Sequence, residues 1–142
     1  MKLELQGARD LEKALHELKS ATAKGVARRV LKKAAQPVAD RAAQLAPEQV
    51  GDLAESYVVT SKLNKNQPRY GGAGSDEVFM HVGSNDRAAV QQEFGNRHHE
   101  AQPHLRPAWE ENQEQALDMV TEGMRVEVSK SVARARRKAA RG

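Results

Sequence analysis

Two stretches of the chain place apolar residues at helical spacing over lengths that constrain a small protein strongly. The first runs from residue 22 to residue 45, and the second runs from residue 107 to about residue 137, which as one helix would be roughly 45 Å long. A chain of 142 residues can cover such helices only by packing them on each other or on a small sheet. Pro37 lies inside the first stretch, where we expect it to kink or interrupt the helix near Gln36.

The rest of the chain has shorter patterns that predict an α+β fold. Polar and apolar residues alternate as they do in strands, and short helical repeats lie between them. We expect a small, mainly antiparallel sheet packed against the long helix of the N-terminal half and the long C-terminal helix. The expected elements are strands at 2–6, 57–63 and 77–83, a helix over 10–20 capped by Asp10, the long helix capped by Thr22, an exposed glycine-rich loop at 64–76, a helix over 88–94 capped by Asn85 or Asp86 and closed by Gly95, and a last helix beginning at Pro107.

The apolar faces of these helices are made of small side chains. The chain has 22 alanines and no isoleucine, which leaves 33 larger apolar residues. The core of a lone monomer is therefore expected to be thin, and a thin core favours self-association. The apolar stripe predicted for the last helix comprises Ala108, Trp109, Ala116, Leu117, Val120, Met124 and Val128.

Several classes of protein do not fit this composition. There is no cysteine, which excludes disulfides, thiol catalysis and cysteine-ligated zinc. No apolar run approaches the ~20 residues of a membrane-spanning helix, and the opening MKLELQG is not an apolar signal segment. We therefore expect synthesis in the cytoplasm and no membrane partner.

Basic residues are concentrated in two places. After Ser129 there are six basic residues and no acid, so we divide the chain into a single domain, 1–129, and a basic C-terminal tail, 130–142. The second cluster lies in the long helix, where basic residues recur every fourth position on one side. These residues are candidate contacts for DNA or for an acidic partner: Lys24, Arg28, Lys32, Arg134, Arg136, Arg137 and Lys138. A small, non-specific DNA-associated protein is accordingly the alternative function.

No pattern in the sequence points to catalysis. His98, His99 and His104 lie near Glu93 and Glu100, but adjacent loop histidines seldom converge on one metal ion. No serine lies in a GxSxG context, and the glycine-rich YGGAGSD lacks the GK[ST] ending of a phosphate loop. We expect no enzymatic activity, no metal and no cofactor.

The most distinctive stretch is QEFGNRHHEAQPHLRPAW, residues 92–109. It contains an acidic residue, an aromatic residue and a glycine, followed by a proline-flanked segment that opens the last helix. A second landmark, APEQVGDLAES, follows the long helix at residues 46–56. The motif residues are Ala46, Pro47, Gly51, Leu53, Ser56, Glu93, Phe94, Gly95, Gln102, Pro103, Leu105, Arg106 and Pro107.

These motifs resemble those of the gene-product-ten-like tail-completion, or head–tail connector, proteins of long-tailed double-stranded DNA phages. The order of elements along nearly the whole chain is also similar. In that family the position of His104 is usually aromatic. The basic tail after Ser129 is not part of the resemblance.

The resemblance implies a structural virion protein of the neck, made in the cytoplasm of the bacterial host. Such a protein would complete the tail end and join the tail to the head during assembly. Its implied partners are copies of itself in a ring, with a hexamer favoured, together with the head connector and the tail tube proteins.

The residues of the motif also have a physical interpretation of their own. Pro103 and Pro107 each disfavour helix in the preceding residue, so we expect His104 to Arg106 to be extended. We further expect Arg106 to pair with Glu93 across the loop and to fix the EFG turn against the last helix. The motif residues could then be determinants of the fold rather than contacts with partners.

Overall fold

The computed structural model describes residues 7–48, 51–62 and 77–142. In this part of the chain the predicted α+β fold is confirmed: two long helices pack together, and a two-stranded antiparallel sheet lies against them. The predicted strand at 2–6 and the predicted loop at 64–76 lie outside the described residues. Within the described ranges, no helix is both long enough and apolar enough to cross a membrane.

The N-terminal half forms helices α1, Ala8–Glu17, and α2, Ser20–Leu45. Both begin two residues before the expected start, so Asp10 and Thr22 are not the capping residues. Asp10 instead lies in the first turn of α1, where a negative charge complements the helix dipole.

Of the kink or interruption expected near Gln36, the interruption does not occur, because α2 continues through Pro37. Val38, Ala39 and Ala42, which directly follow it, are all buried. Their burial outweighs the one backbone hydrogen bond that Pro37 cannot donate.

The sheet is shorter than the sequence pattern indicates. A 3₁₀ segment, Gly51–Ser56, leads into β1, Tyr57–Thr60, which pairs antiparallel with β2, His81–Ser84. The register pairs Tyr57 with Ser84 and Thr60 with His81. Residues 77–80 precede the strand rather than forming part of it.

The third helix, α3, spans Arg87–Phe94 and ends where predicted. Oδ1 of Asp86 accepts a hydrogen bond of 2.9 Å from the amide of Ala88, which confirms Asp86 as the cap. Gly95 follows with φ of 71°. A side chain there would also clash, since its Cβ would lie 2.6 Å from the amide nitrogen of Ala101.

The last helix, α4, spans Leu105–Ala140. Its 36 residues make it about 54 Å long. The expectation that His104 to Arg106 are extended is wrong, because Leu105 and Arg106 are already helical. Pro107 is the third helical residue, where the backbone has no intrahelical acceptor for an amide, so the proline is tolerated. The boundary drawn between residues 129 and 130 falls inside α4, and Ser131 and Val132 beyond it are buried.

Helices α2 and α4 run antiparallel along most of their lengths. Arg41 pairs with Glu111 near one end and Arg29 pairs with Glu127 near the other. Between them Gly123 lies so close to Val30 that a Cβ on the glycine would be 3.0 Å from Cγ1 of the valine. The core along this contact is thin, as the composition predicts. Its buried residues are Ala14, Leu18, Val26, Val30, Val128 and Val132 at one end and Val38, Ala42 and Ala108 at the other.

Candidate functional site

Glu93, at the end of α3, lies directly beneath the first turn of α4. Its carboxylate accepts backbone amides from His104 at 2.8 Å, Leu105 at 2.9 Å and Arg106 at 3.0 Å. The predicted pair with Arg106 is also present: Nε donates to Oε1 of Glu93 at 3.0 Å, and the guanidinium donates to the Glu93 carbonyl at 2.9 Å. We call these four residues the Glu93 clip.

The Glu93 clip holds a buried carboxylate in its ionised form. Glu93 is only 5% exposed, and this burial by itself raises the pKa of the carboxyl. The three backbone amides and the Arg106 side chain outweigh burial and lower the pKa to about 2. The charge is therefore present throughout the physiological pH range, and it binds the start of α4 to the end of α3.

His104 packs as an aromatic residue would. Its ring is fully buried and meets Tyr57 edge to face, with centroids 5.4 Å apart. Nδ1 lies 3.2 Å from the Gln102 carbonyl oxygen, which can only accept, so in the neutral ring Nε2 accepts a hydrogen bond from the Tyr57 hydroxyl. Burial, followed by the charges of Glu93 and Asp86, raises the pKa of Tyr57 to about 12.

The first motif joins the second through Tyr57. Ala46 and Leu53 are buried against Ala89 of α3, and Tyr57 packs on the same cluster. Ser56 donates to the Leu53 carbonyl at 2.6 Å and shares a hydrogen bond with the hydroxyl of Ser84. Pro47 is half-buried beside this cluster. These residues therefore set the fold around the clip rather than forming a separate surface.

Other motif residues face solvent beside the clip. Phe94 is 65% exposed, and the guanidinium of Arg106 lies 5.1 Å from the centre of its ring. Gln102 and Pro103 are exposed as well. This part of the motif forms an accessible surface with both apolar and cationic character.

An open apolar groove lies between α2, β2 and the first half of α4. Trp109 and Leu117 were predicted to face the core, but they are 51% and 66% exposed, so that prediction is wrong. Ala108, next to Trp109, takes the buried position instead. The groove encloses about 630 Å³ and is lined by Leu31, Ala34, Ala35, Val38, Met80, Val82, Trp109, Gln113, Glu114, Ala116, Leu117 and Val120. We call it the α4 groove.

Sequence reasoning missed this groove, although a signal for it exists. Trp109 and Leu117 widen the apolar stripe of α4 beyond what the small side chains of α2 can cover. In a chain with one tryptophan and little large apolar surface, such an excess marks surface left for contact.

The candidate basic residues fall into distinct settings. The antiparallel packing places the start of α2, with Lys24, Arg28 and Lys32, at the same end of the molecule as the end of α4. Arg136 is held by Glu17 of α1, with two nitrogen–oxygen distances of 2.9 and 3.0 Å. The remaining basic residues of the last turns surround a shallow concavity of about 290 Å³: Arg134, Arg137, Lys138 and Arg141. We call these four the basic tip.

The histidines do not converge. His98 and His99 lie on the exposed loop, whereas His104 is fully buried as part of the Glu93 clip. Across residues 7–48, 51–62 and 77–142, no three histidine, aspartate or glutamate side chains are placed to hold a metal ion. The His104 ring itself is fully buried and has no contact with solvent.

Comparison with known proteins identifies the family. No curated protein and no solved structure matches the chain significantly. One family model matches residues 9–95, from the first turn of α1 to the glycine that ends α3; its description reads "Bacteriophage HK97-gp10, putative tail-component". The match covers well over half of the chain and includes Glu93 of the clip. The resemblance seen in the sequence is therefore confirmed, and the chain belongs to the HK97-gp10-like family of bacteriophage tail components, a structural family of the virion rather than one of enzymes.

Proposed function

We propose that this protein completes the phage tail at the neck and joins the tail tube to the head connector, acting as a homo-oligomeric ring. The observation that carries the proposal is its membership of a family of phage tail components. The match favours this function over that of a free-standing DNA-associated protein, because the family is defined by a role in the tail.

The α4 groove supports assembly with other protein surfaces. A tryptophan and a leucine that are both more than half exposed are costly to leave in water, and tryptophan is enriched at the centres of protein interfaces. The groove also lies in a molecule with a thin core, which gains stability from a partner chain. We assign the groove to contact with the next copy in the ring.

A ring also follows from the form of the proposed contact. The groove of one copy would meet a different surface of its neighbour, and head-to-tail contacts of this kind close into a ring when the rotation per copy divides a full turn. A hexamer matches the sixfold symmetry of a long phage tail.

The decisive experiment removes the gene from a producing phage or prophage and examines the lysate by electron microscopy. We expect DNA-filled heads and separate tails of normal length, with purified protein added to the lysate restoring joined particles. Joined particles in the absence of the protein, or a lysate without tails, would contradict the proposal.

The α4 groove is tested in the same joining assay. Leu117→Glu places a charge in the groove, so we expect it to abolish joining and to lower the oligomer mass measured by light scattering. Val90→Glu is the matched control, because Val90 is 63% exposed on α3 and does not line the groove. Equal joining by both variants would remove the groove from the interface.

A further inference from the structure

The fold separates charge along the length of the α2–α4 pair. Residues 7–33 and 123–142, which the antiparallel packing brings to one end, contain fifteen basic and four acidic side chains, a net charge of +11. The other described residues, 34–48, 51–62 and 77–122, contain five basic and thirteen acidic side chains, a net charge of −8. The overall net charge of +4 conceals this separation.

Most basic residues of the positive end form no ion pair within the described residues, and the basic tip is where four of them surround one concavity. Arg29, Arg136 and Lys130 each pair with a glutamate. Within the described residues, none of the four basic side chains of the tip forms an ion pair, and all four are exposed around one concavity. No acidic residue follows Glu127 in the sequence.

The composition of the tip decides between two kinds of acidic partner. Residues 133–142 contain four alanines, one glycine and five basic residues, but no large apolar and no aromatic side chain. The centres of protein interfaces usually combine arginine with large aromatic side chains, and a single nucleic-acid strand is held by aromatic stacking. The phosphates of a duplex need neither, because neutralising them and releasing their counterions supplies the affinity.

We propose that the basic tip binds the sugar–phosphate backbone of duplex DNA, without reading its sequence. From Arg134 to Arg141 the helix rises about 10 Å, which is the axial rise of about three phosphates on one strand. The C-terminal end of a helix repels anions with about half an elementary charge, and four cationic side chains exceed that repulsion several-fold. The inference rests on the charge layout alone and does not depend on the tail-completion proposal.

The test measures binding of the full-length protein to a fluorescently labelled 30-base-pair duplex by anisotropy, between 50 and 200 mM salt. We expect a Kd of about 10⁻⁶ to 10⁻⁴ M with a steep salt dependence. The triple variant Arg134→Gln, Arg137→Gln and Arg141→Gln keeps good helix formers at each position. It is expected to weaken binding at least tenfold at 50 mM salt and to lower the slope of log K against log salt by about 2 to 3.

The matched control is Lys62→Gln, Arg87→Gln and Arg97→Gln, which changes the net charge equally at exposed sites of the acidic half. This control is expected to retain most of the affinity and the salt slope. Equal loss in both variants would show that only total charge matters, and no loss in the tip variant would show that DNA binds elsewhere. Either result overturns the proposal.

Two further ligands separate the possible partners. A single strand of the same length should bind more weakly than the duplex, and a polyglutamate peptide of similar charge should bind more weakly still. Stronger binding of the peptide would assign the tip to an acidic protein surface instead. Because the joining assay is a separate measurement, failure here would leave the tail-completion proposal standing.

Discussion

Glu93 performs for α4 the role that an N-cap residue usually performs from within its own helix. The residue that precedes α4, His104, makes no side-chain capping bond, and a carboxylate eleven residues earlier satisfies three of the first amides instead. The buried carboxylate of Glu93 thereby joins the two ends of the loop between α3 and α4, through its charge and its hydrogen bonds.

Removing this carboxylate should be costly. We expect Glu93→Ala to lower the free energy of unfolding by about 3 kcal/mol, because three amides at a buried helix start lose their acceptor. Arg106→Ala should cost only about 1 kcal/mol, because the arginine is more than half exposed. Urea denaturation of both single variants and the double variant gives the coupling. A coupling near zero would show that the pair contributes nothing beyond its separate parts.

Glu93 should also make stability depend on pH in acid. Its pKa of about 2 in the folded protein lies below the ordinary value of 4.5. The resulting stabilisation is therefore complete above pH 4.5 and is lost as the pH falls from there towards 2. Glu93→Gln should lack this component, so its stability difference from the wild type should shrink as the pH is lowered. Glu100→Gln, an exposed change on the same loop, is the control and should follow the wild type.

The hydrogen bond between Tyr57 and the buried His104 ring gives a separate prediction. In His104→Phe the ring packing is kept, but the Tyr57 hydroxyl loses its acceptor, which should cost about 1–2 kcal/mol. Adding Tyr57→Phe to His104→Phe removes the stranded hydroxyl and should recover most of that loss. Thermal unfolding followed by circular dichroism measures both. A further loss of stability in the double variant would contradict this account.

The residue pair Glu93–Arg106 could be predicted from the sequence, whereas most of the clip could not. Glu93 and Arg106 have opposite charges and lie at the two ends of the short loop segment, which suggests that they pair. The three amide bonds depend on α4 starting at Leu105, and that start is itself produced by the carboxylate. Local sequence preferences place the first helical residue at Pro107. They cannot show that a carboxylate on another helix accepts the amide hydrogen bonds of an earlier start.

At the scale of elements, the contact between α2 and α4 organises the molecule, and within it Gly123 lies directly against Val30. Gly123→Leu should lower the free energy of unfolding by about 2–3 kcal/mol, because the added side chain must push Val30 and α2 away. Gly25→Ala is the control, since the nearest atom to its Cβ is the end of the flexible Arg29 side chain, at an ordinary contact distance of 3.7 Å. That control should gain about 1 kcal/mol from helix propensity. Urea titrations measure the free energy of unfolding of both variants. Equal changes in the two would show that the close contact between Gly123 and Val30 has no special role.

Periodicity was sufficient to predict the helices but not their ends or their interruptions. Pro37 favours an interruption of α2 on local grounds. The helix nevertheless continues, because the turn after the proline is buried. Trp109 and Leu117 fit the helical period of α4. The period does not show, however, that the small side chains of α2 are too short to cover both residues. Within the described residues, the two strands pair over four residues each.

At the scale of the whole molecule, repulsion between the basic residues of the tip should lower the free energy of unfolding. The basic tip contains four like-charge pairs at i, i+3 or i, i+4 spacing. Arg134 takes part in two of these pairs and lies before the last turn, where cations favour the helix dipole. Replacing Arg134 by glutamine should therefore raise the free energy of unfolding by about 0.5 kcal/mol at low salt. The gain should vanish in 0.5 M salt, where repulsion is screened. Urea unfolding at 20 mM and 500 mM salt provides the comparison, and a gain of the same size at both would rule out repulsion as its cause.

The sequence shows both basic segments but not that they meet. They are about a hundred residues apart, and only the antiparallel pairing of α2 and α4 brings them to one end. The individual basic residues can be identified from the sequence alone. The separation of positive and negative charge between the two ends depends on the topology.

The two ends of α4 differ in how firmly they are anchored. Its first turn is tied to Glu93, whereas Val132 is its last buried residue, so the final two turns extend about 12 Å beyond the core. Amide hydrogens there should exchange with solvent orders of magnitude faster than those around Val128. Addition of duplex DNA should slow exchange in these turns alone. The less firmly anchored end of α4 is also its most highly charged end, so a bound polyanion is expected to protect turns that the core of the protein does not.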